Sequence, residues 1–337
     1  DGSLASQVVT NLKVTGVQFT NCWQGVFLFG AQSATVQDCT FTGCYRGITI
    51  KDHYLKPDFS WKSSNNKVMK CDFLSSYFNH PSLTPEERAV ENGEAIVIWD
   101  SDNNEVSDCL MDGNTYGAMV YRGTQNKVLR NTITNTTQDP LLFREVTQGT
   151  VVSQNKVIEQ GKDVLFYKCN DFQFDENKMD GATLNLLNST KGVIRDNDWE
   201  QTSTPALSFG TLDKHFDHDI GQSNEIGGKP IYYSWNEGRF SLKSVEAGAV
   251  YVMECDNAIL ENVEGTGGDG TVVYKSDNAT IRDVDANNNL FGIDVADSVN
   301  LTIDKTLADT GTRGRFAVRL HNVTDATYAD GDIVTHA

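Results

Sequence analysis

The sequence predicts an all-β chain, a single parallel β-helix of about 12 coils. Three observations predict it. First, a short apolar run ending in Cys or Asn recurs: VQDC at 36–39, VMKC at 68–71, VSDC at 106–109, VLRN at 128–131, VSQN at 152–155, FDEN at 174–177, IRDN at 194–197 and ILEN at 259–262. From Cys109 onward the steps are 22, 24, 22 and 20 residues. Second, each run is followed by an alternating apolar stretch. These read GVFL at 25–28, GITI at 47–50, AIVI at 95–98, GAMV at 117–120, PLLF at 140–143 and DVLF at 163–166, then AVYV at 249–252, TVVY at 271–274 and GIDV at 292–295. Third, no segment carries a sustained 3.6-residue stripe, so alternation at period two means strands.

Each coil stacks one strand spacing above the last, so like positions form ladders. Asn at a tight bend tolerates left-handed backbone, and stacked Asn side chains bond along a ladder. The 28 Asn and 28 Gly are therefore expected mostly at bends. Only 6 Pro occur, because each strand N–H bonds to the next coil. Cys39, Cys71 and Cys109 hold the place that Asn takes later, and Cys22 and Cys44 align one bend on. None of the 7 Cys lies in a C-x-x-C pair, so they read as small buried stackers.

The 337 residues run on without a linker-like break, so one domain is expected over 1–337. The net charge of −18 excludes nucleic acid and anionic lipid as partners. No run of about 18 apolar residues exists, so no membrane insertion is expected. No signal-peptide pattern precedes the repeat, and a chain opening at Asp1 reads as a mature or excised product. Sequons at Asn135, Asn188, Asn278, Asn300 and Asn322 fit an exported protein.

Insertions break the period at 51–64, 74–92 and 210–226. In solenoids such loops often carry function. Residues 84–91 suggest a helical turn capped by Thr84. His53 and His80 lie in the first two loops. The third holds His215, Asp217 and His218, the one dense group of metal-type ligands, against the plainer reading of a polar loop. No cofactor is expected; Asp-rich bends such as the one at 100–102 permit Ca²⁺ without demanding it.

The candidate site is a strip on successive coils. If Ile48, Ile98, Val120, Phe143 and Phe166 point inward, Lys51, Trp99, Tyr121, Arg144 and Tyr167 point out, with Asp52, Asp100, Arg122, Glu145 and Lys168 one place later. Trp99, Tyr121 and Tyr167 then offer sugar platforms, and Arg144 and Lys168 offer cations for a substrate. Asp100 and Glu145 around Arg122 are the candidate catalytic residues, since a carboxylate pair can serve as acid and base. Asp52 and Asp100 form the closer alternative pair. The plainer reading is a mixed charge ladder kept for solubility.

The segment HDIGQSNEIGGKPIYY at 218–233, followed by AGAVYVMEC at 247–255, resembles the CASH-repeat, NosD-like surface and secreted proteins of archaea, within the right-handed parallel β-helix superfamily. The resemblance implies a right-handed coil and a secreted or cell-surface protein, disaggregatase-like proteins among its kin. It carries over no catalytic residue. The function expected is binding, with or without cleavage by a hydrolase or lyase, of an extracellular polysaccharide. The rivals are a non-catalytic component of a surface layer, sheath or filament joined through uncapped coil ends, as a homo-oligomer or part of a larger chain, and a virus tail-spike.

Overall fold

A computed structural model of the chain describes residues 9–56, 59–76, 93–200, 204–210, 215–265, 267–309 and 316–334. The chain winds as a parallel β-solenoid of about 13 turns. Among the described residues there is no helix, and so none long and apolar enough to cross a membrane. The turn expected at 84–91 and His80 lie outside the described residues. Backbone packing divides the chain into two units. One comprises Asp1–Asn177, Leu184–Thr190 and Phe209–Lys214; the other comprises Lys178–Thr183, Lys191–Ser208 and His215–Ala337.

In the first unit each coil gives one strand to each of three parallel sheets. The first sheet registers Val14, Val36, Val68, Val106, Val128, Val152 and Phe174. The second registers Phe19, Phe41, Phe73, Met111, Ile133 and Val157. The third is built from Gln24–Phe29, Arg46–Lys51, Glu94–Trp99, Tyr116–Tyr121, Leu141–Arg144 and the end of Lys156–Tyr167. From Val36 and Phe41 onward these registered side chains are buried. Phe19, Phe41 and Phe73 stack face to face at 4.7 and 4.8 Å, which is the strand spacing itself.

The ladder after the first sheet works as expected, with one correction. The left-handed residue is the one before the ladder position: Asp38, Lys70, Asp108, Arg130, Gln154 and Glu176, at φ of 51 to 58°. The ladder Asn itself turns inward. Asn131 Oδ1 accepts the Cys109 amide at 3.0 Å, while Asn131 Nδ2 donates to Val106 O and to Asn155 Oδ1. Asn155 repeats this on Asn177. A parallel ladder runs through Asn66, Asn104 and Asn126. All seven Cys are free and six are buried; Cys22 is half-buried.

In the third sheet the pairing skips the small residues at 25, 47 and 95. A Cβ on Gly47 would stand 2.5 Å from the Ala95 carbonyl oxygen and from the Phe73 ring, so this close approach requires glycine.

The second unit pairs Lys229–Trp235, Ala249–Met253, Gly270–Tyr274, Phe291–Ala296 and Phe316–His321 in parallel. A second stack runs from Ser241–Glu246 to Thr327–Ala329. A Gly227-Gly228 turn, both residues at positive φ, reverses the chain between Glu225–Ile226 and Lys229–Trp235. Asp269, buried, accepts from the Tyr251 hydroxyl at 2.5 Å and from the Ala206 amide at 2.7 Å. Burial pushes its carboxyl up to about 6, against these hydrogen bonds.

Two outcomes test this account. Asn131→Ala strands the Cys109 amide and the Val106 carbonyl in the core, and should lower unfolding free energy by roughly 2–4 kcal/mol in urea titration. Asp269 has a folded pKa of about 6 against an ordinary 3.8, so its neutral form is the one the fold favours. Its contribution is full below about pH 4 and is lost as pH rises through about 6. Relative to Asp269→Asn, the wild type should therefore lose on the order of 3 kcal/mol between those limits, read from melts across pH.

Candidate functional site

The outer face of the third sheet in the first unit carries three rows of side chains. Backbone register creates the first: Lys51 pairs with Trp99, Trp99 with Tyr121, Tyr121 with Arg144 and Arg144 with Tyr167. One place on, Asp100, Arg122, Glu145 and Lys168 occupy a left-handed corner at φ of 49 to 54°. Asp52 does not join them. It is buried, and its carboxylate accepts the Ser63 amide at 2.7 Å and the Ser101 hydroxyl at 3.1 Å. It ties a bend, so the pairing of Asp52 with Asp100 on an open face is corrected.

The charges along this row are partly spoken for. Arg122 grips Asp100 with two bonds, Nε to Oδ1 at 2.8 Å and Nη2 to Oδ2 at 3.1 Å. Arg144 Nε stands 3.6 Å from Glu145 Oε1. The rings of Trp99 and Tyr121 stack on each other at 5.6 Å. Lys51 sits 4.6 Å over Trp99, Arg144 lies 6.0 Å from Tyr121 and 5.4 Å from Tyr167, and Lys168 lies 5.2 Å from Tyr167. The ring faces thus look along the stack of coils, at neighbouring rings and cations.

The second row is an apolar floor of Val97, Met119 and Leu142, buried, with Trp99, Tyr116, Tyr121 and Leu165 packed against it. At the entrance of these strands Arg46 pairs with Glu94 and Glu94 with Tyr116, while Asp139 and Lys162 stand three residues before Leu142 and Leu165 in sequence. Arg46 Nε meets Glu94 Oε2 at 3.0 Å, and Glu94 is only 3% exposed. Burial pushes the Glu94 carboxyl up while Arg46 opposes it. Burial, then the charge of Asp163, pushes Asp139 up to about 6, against Lys162. Burial and then the charge of Asp139 raise the Tyr116 phenol, with Tyr121 and Glu94 adding to it. Burial also raises Tyr121, against Arg144. The rows enclose a groove of about 460 Å³, with Arg46 and Glu94 on one side, Arg144 and Glu145 on the other, and Val97 and Met119 beneath.

Sequence reasoning looked only at the exit of each second-column strand and so missed Arg46, Glu94 and Asp139 at its entrance. The signal was present: Gln24, Arg46, Glu94 and Tyr116 each precede the small residue of the column.

His215, Asp217 and His218, set against the plainer reading of a polar loop, lie in a segment built around Phe216. Among the described residues no three His, Cys, Asp or Glu are placed to hold an ion. Phe216 is buried against Tyr274 at 5.1 Å, and its carbonyl accepts from the Tyr233 hydroxyl. His218 is buried and its Nδ1 accepts the Gly192 amide at 3.1 Å, while His215 is exposed. The segment is anchored by its buried Phe.

Stacked coils with a polar groove on an outer sheet face define a parallel β-helix protein. Residues 2–133 and 76–193 match the family described as right handed beta helix region, and the chain belongs to that family. None of the curated proteins matches it. Among solved structures it is similar to DFA-IIIase of Arthrobacter chlorophenolicus A6, with 11% identity, 89% of this chain and 64% of that one covered, and a TM-score of 0.40. It is also similar to the A-module of an Azotobacter vinelandii mannuronan C-5 epimerase, with 10% identity, 98% and 89% covered, and a TM-score of 0.44. A third is the receptor-binding protein of bacteriophage Det7, a podoviral tailspike in a myovirus, with 10% identity, 97% and 73% covered, and a TM-score of 0.42. The chain thus spans less than two thirds of the DFA-IIIase length, and these likenesses concern the fold alone.

The pair of Asp100 and Arg122 lies at the surface, where ion pairs contribute little. Asp100→Asn should change unfolding free energy by less than about 1 kcal/mol, measured by thermal melting.

Proposed function

We propose that the protein is secreted or displayed at a cell surface and binds an acidic polysaccharide along the groove of its first unit. The observation that carries this reading is a local reversal of charge. Arg46, Lys51, Arg122, Arg144 and Lys168 stand on one sheet face with only Glu94, Asp100 and Glu145 beside them, a local positive excess on a chain whose net charge is −18. Such a patch attracts an anionic polymer while the remaining surface repels it. Uronate carboxylates suit the planar fork of arginine. The floor of Val97, Met119 and Leu142 suits the C–H faces of sugar rings. Because the ring faces of Trp99, Tyr121 and Tyr167 are turned along the stack, their outer edges meet the sugar. The sequons and the NosD-like segment at 218–233 support export.

A structural role in a sheath or filament is the second reading. It rests on exposed apolar side chains, namely Trp23, Phe27 and Phe29 in the first unit and Phe316, Leu320 and Ile333 in the second.

The double substitution Lys51→Ala with Arg144→Ala should weaken binding of polygalacturonate or alginate by roughly 10- to 100-fold, the scale of losing one or two charge-assisted contacts. Binding should fall with added salt, and neutral dextran should not bind. Affinity electrophoresis and calorimetry on the intact chain read both effects. Equal retention of dextran and polygalacturonate would remove the proposal.

A further inference from the structure

Two neighbouring bends between the second and third sheets carry a matched pair of thiols. Thr20 pairs with Thr42 and Gln24 with Arg46, with three residues between them on each coil, so Cys22 faces Cys44 one coil on. The two bends have one shape. Asn21 and Gly43 both take left-handed backbone, at φ of 52 and 61°. The Asn21 amide donates to Thr42 O at 2.9 Å, and the Tyr45 amide donates to Cys22 O at 2.9 Å. The rings of Trp23 and Tyr45 stack at 4.5 Å, which keeps the bends in step. The thiols also share a pose. Cys22 Sγ donates to Thr20 O at 3.6 Å and Cys44 Sγ to Thr42 O at 3.8 Å, each two residues back. Cys44 Sγ also reaches across to Phe19 O, at 3.7 Å, in the coil that carries Cys22. Cα atoms one strand spacing apart stand about 4.8 Å from each other, inside the roughly 4.4–6.8 Å that a disulfide spans.

Access separates this pair from the other thiols. Cys39, Cys71 and Cys109 are stacked by the same kind of register, with their Sγ atoms on the carbonyls of Gln37, Met69 and Ser107 at 3.2 to 3.3 Å. All three are buried, as are Cys44, Cys169 and Cys255, and Cys22 alone is half-buried. A thiol that no reagent can reach is inert. An oxidant in solution therefore meets Cys22 first, and Cys44 is the thiol placed to complete the reaction. Burial pushes the Cys44 thiol up, so it is not the group that begins it.

We propose that Cys22 and Cys44 form an oxidation site, closed as a disulfide between adjacent coils when the protein meets a small-molecule disulfide such as glutathione disulfide. Cys22 Sγ attacks one sulfur of the oxidant. That S–S bond breaks, and the first glutathione leaves as a thiol with the Cys22 proton. Cys44 Sγ then attacks Cys22 Sγ, the mixed S–S bond breaks, and the second glutathione leaves with the Cys44 proton. Two protein thiols are oxidised and one disulfide is reduced to two thiols. The cysteines are 22 residues apart, so the bond closes one whole coil. Among the described residues, Lys13–Thr15, Gln18–Thr20 and Gln24–Phe29 pair on one side only, with Thr35–Gln37, Thr40–Thr42 and Arg46–Lys51. A covalent tie at this place restrains a coil that hydrogen bonds hold from one side. It is independent of the groove and of what binds there.

The test takes the intact chain, reduced, into glutathione buffers of rising disulfide content. Remaining thiols are alkylated in denaturant, and the peptides are mapped by mass spectrometry without reduction. One linked pair, Cys22 with Cys44, should form while the other five thiols are alkylated, and dithiothreitol should reverse it. Cys44→Ser should stop at glutathione on Cys22, and Cys22→Ser should leave every remaining thiol free. Should Cys44→Ser fail to fold, the wild-type map decides. Amide exchange over residues 18–29 should slow on the order of 10-fold or more in the linked form. Glutathione retained on Cys22 of the wild type, a link between the Cys22 of two chains, a bond to Cys39, or seven free thiols at the most oxidising ratio overturns the proposal. Unslowed exchange in the linked form removes the restraint on the coil.

Discussion

Each strand in the first unit is held by hydrogen bonds to the strands one coil before and one coil after, and this pairing has a fixed repeat of about 4.8 Å. Nothing else in the unit can be arranged independently of it. A core residue must match its neighbours above and below in volume, which is why Phe19, Phe41 and Phe73 stack as plates rather than mesh as knobs. A corner must turn with one left-handed residue in each coil, at an order of 1 kcal/mol wherever that residue is not glycine. The inward Asn ladders offset this cost by taking up backbone groups that the corners leave without a strand partner.

The same repeat makes sites by register. A side chain placed outward on one coil is joined by the outward side chain of the next, so a functional surface arrives as rows rather than as a scatter. Register alone brings Arg46, Glu94 and Tyr116 side by side, although 70 residues separate the first from the last in sequence. It also explains why exposed aromatic rings give up their faces. At one strand spacing a ring is nearly in contact with its neighbour, and Lys51, Trp99, Tyr121 and Arg144 pile face on face.

The sheet-forming pattern was legible because inward positions are constrained on every coil: Val36, Val68, Val106, Val128 and Val152 can be aligned by eye, and they are the registered core. The row from Lys51 to Tyr167 was legible for the same reason, since it sits a fixed step beyond inward residues. Corner geometry was less so. Asp52 and Asp100 look equivalent in sequence, yet the insertion at 51–64 turns Asp52 inward onto Ser63 and Ser101. Arg46, Glu94 and Asp139 were hidden by the irregular step at the small residues 25, 47 and 95. That step sets the column entrance on the same outer face as Val97, against simple alternation.

Alternating charge along a row is what stability alone would select, since like charges on adjacent coils repel. The pairing of Asp100 with Arg122, and of Asp108 with Arg130, needs no other cause. Glu94 differs in one physical respect: it is drawn out of solvent beside an apolar floor, and burial works against the charge that a solubility ladder would require. A carboxyl held there destabilises the fold in its ionised form.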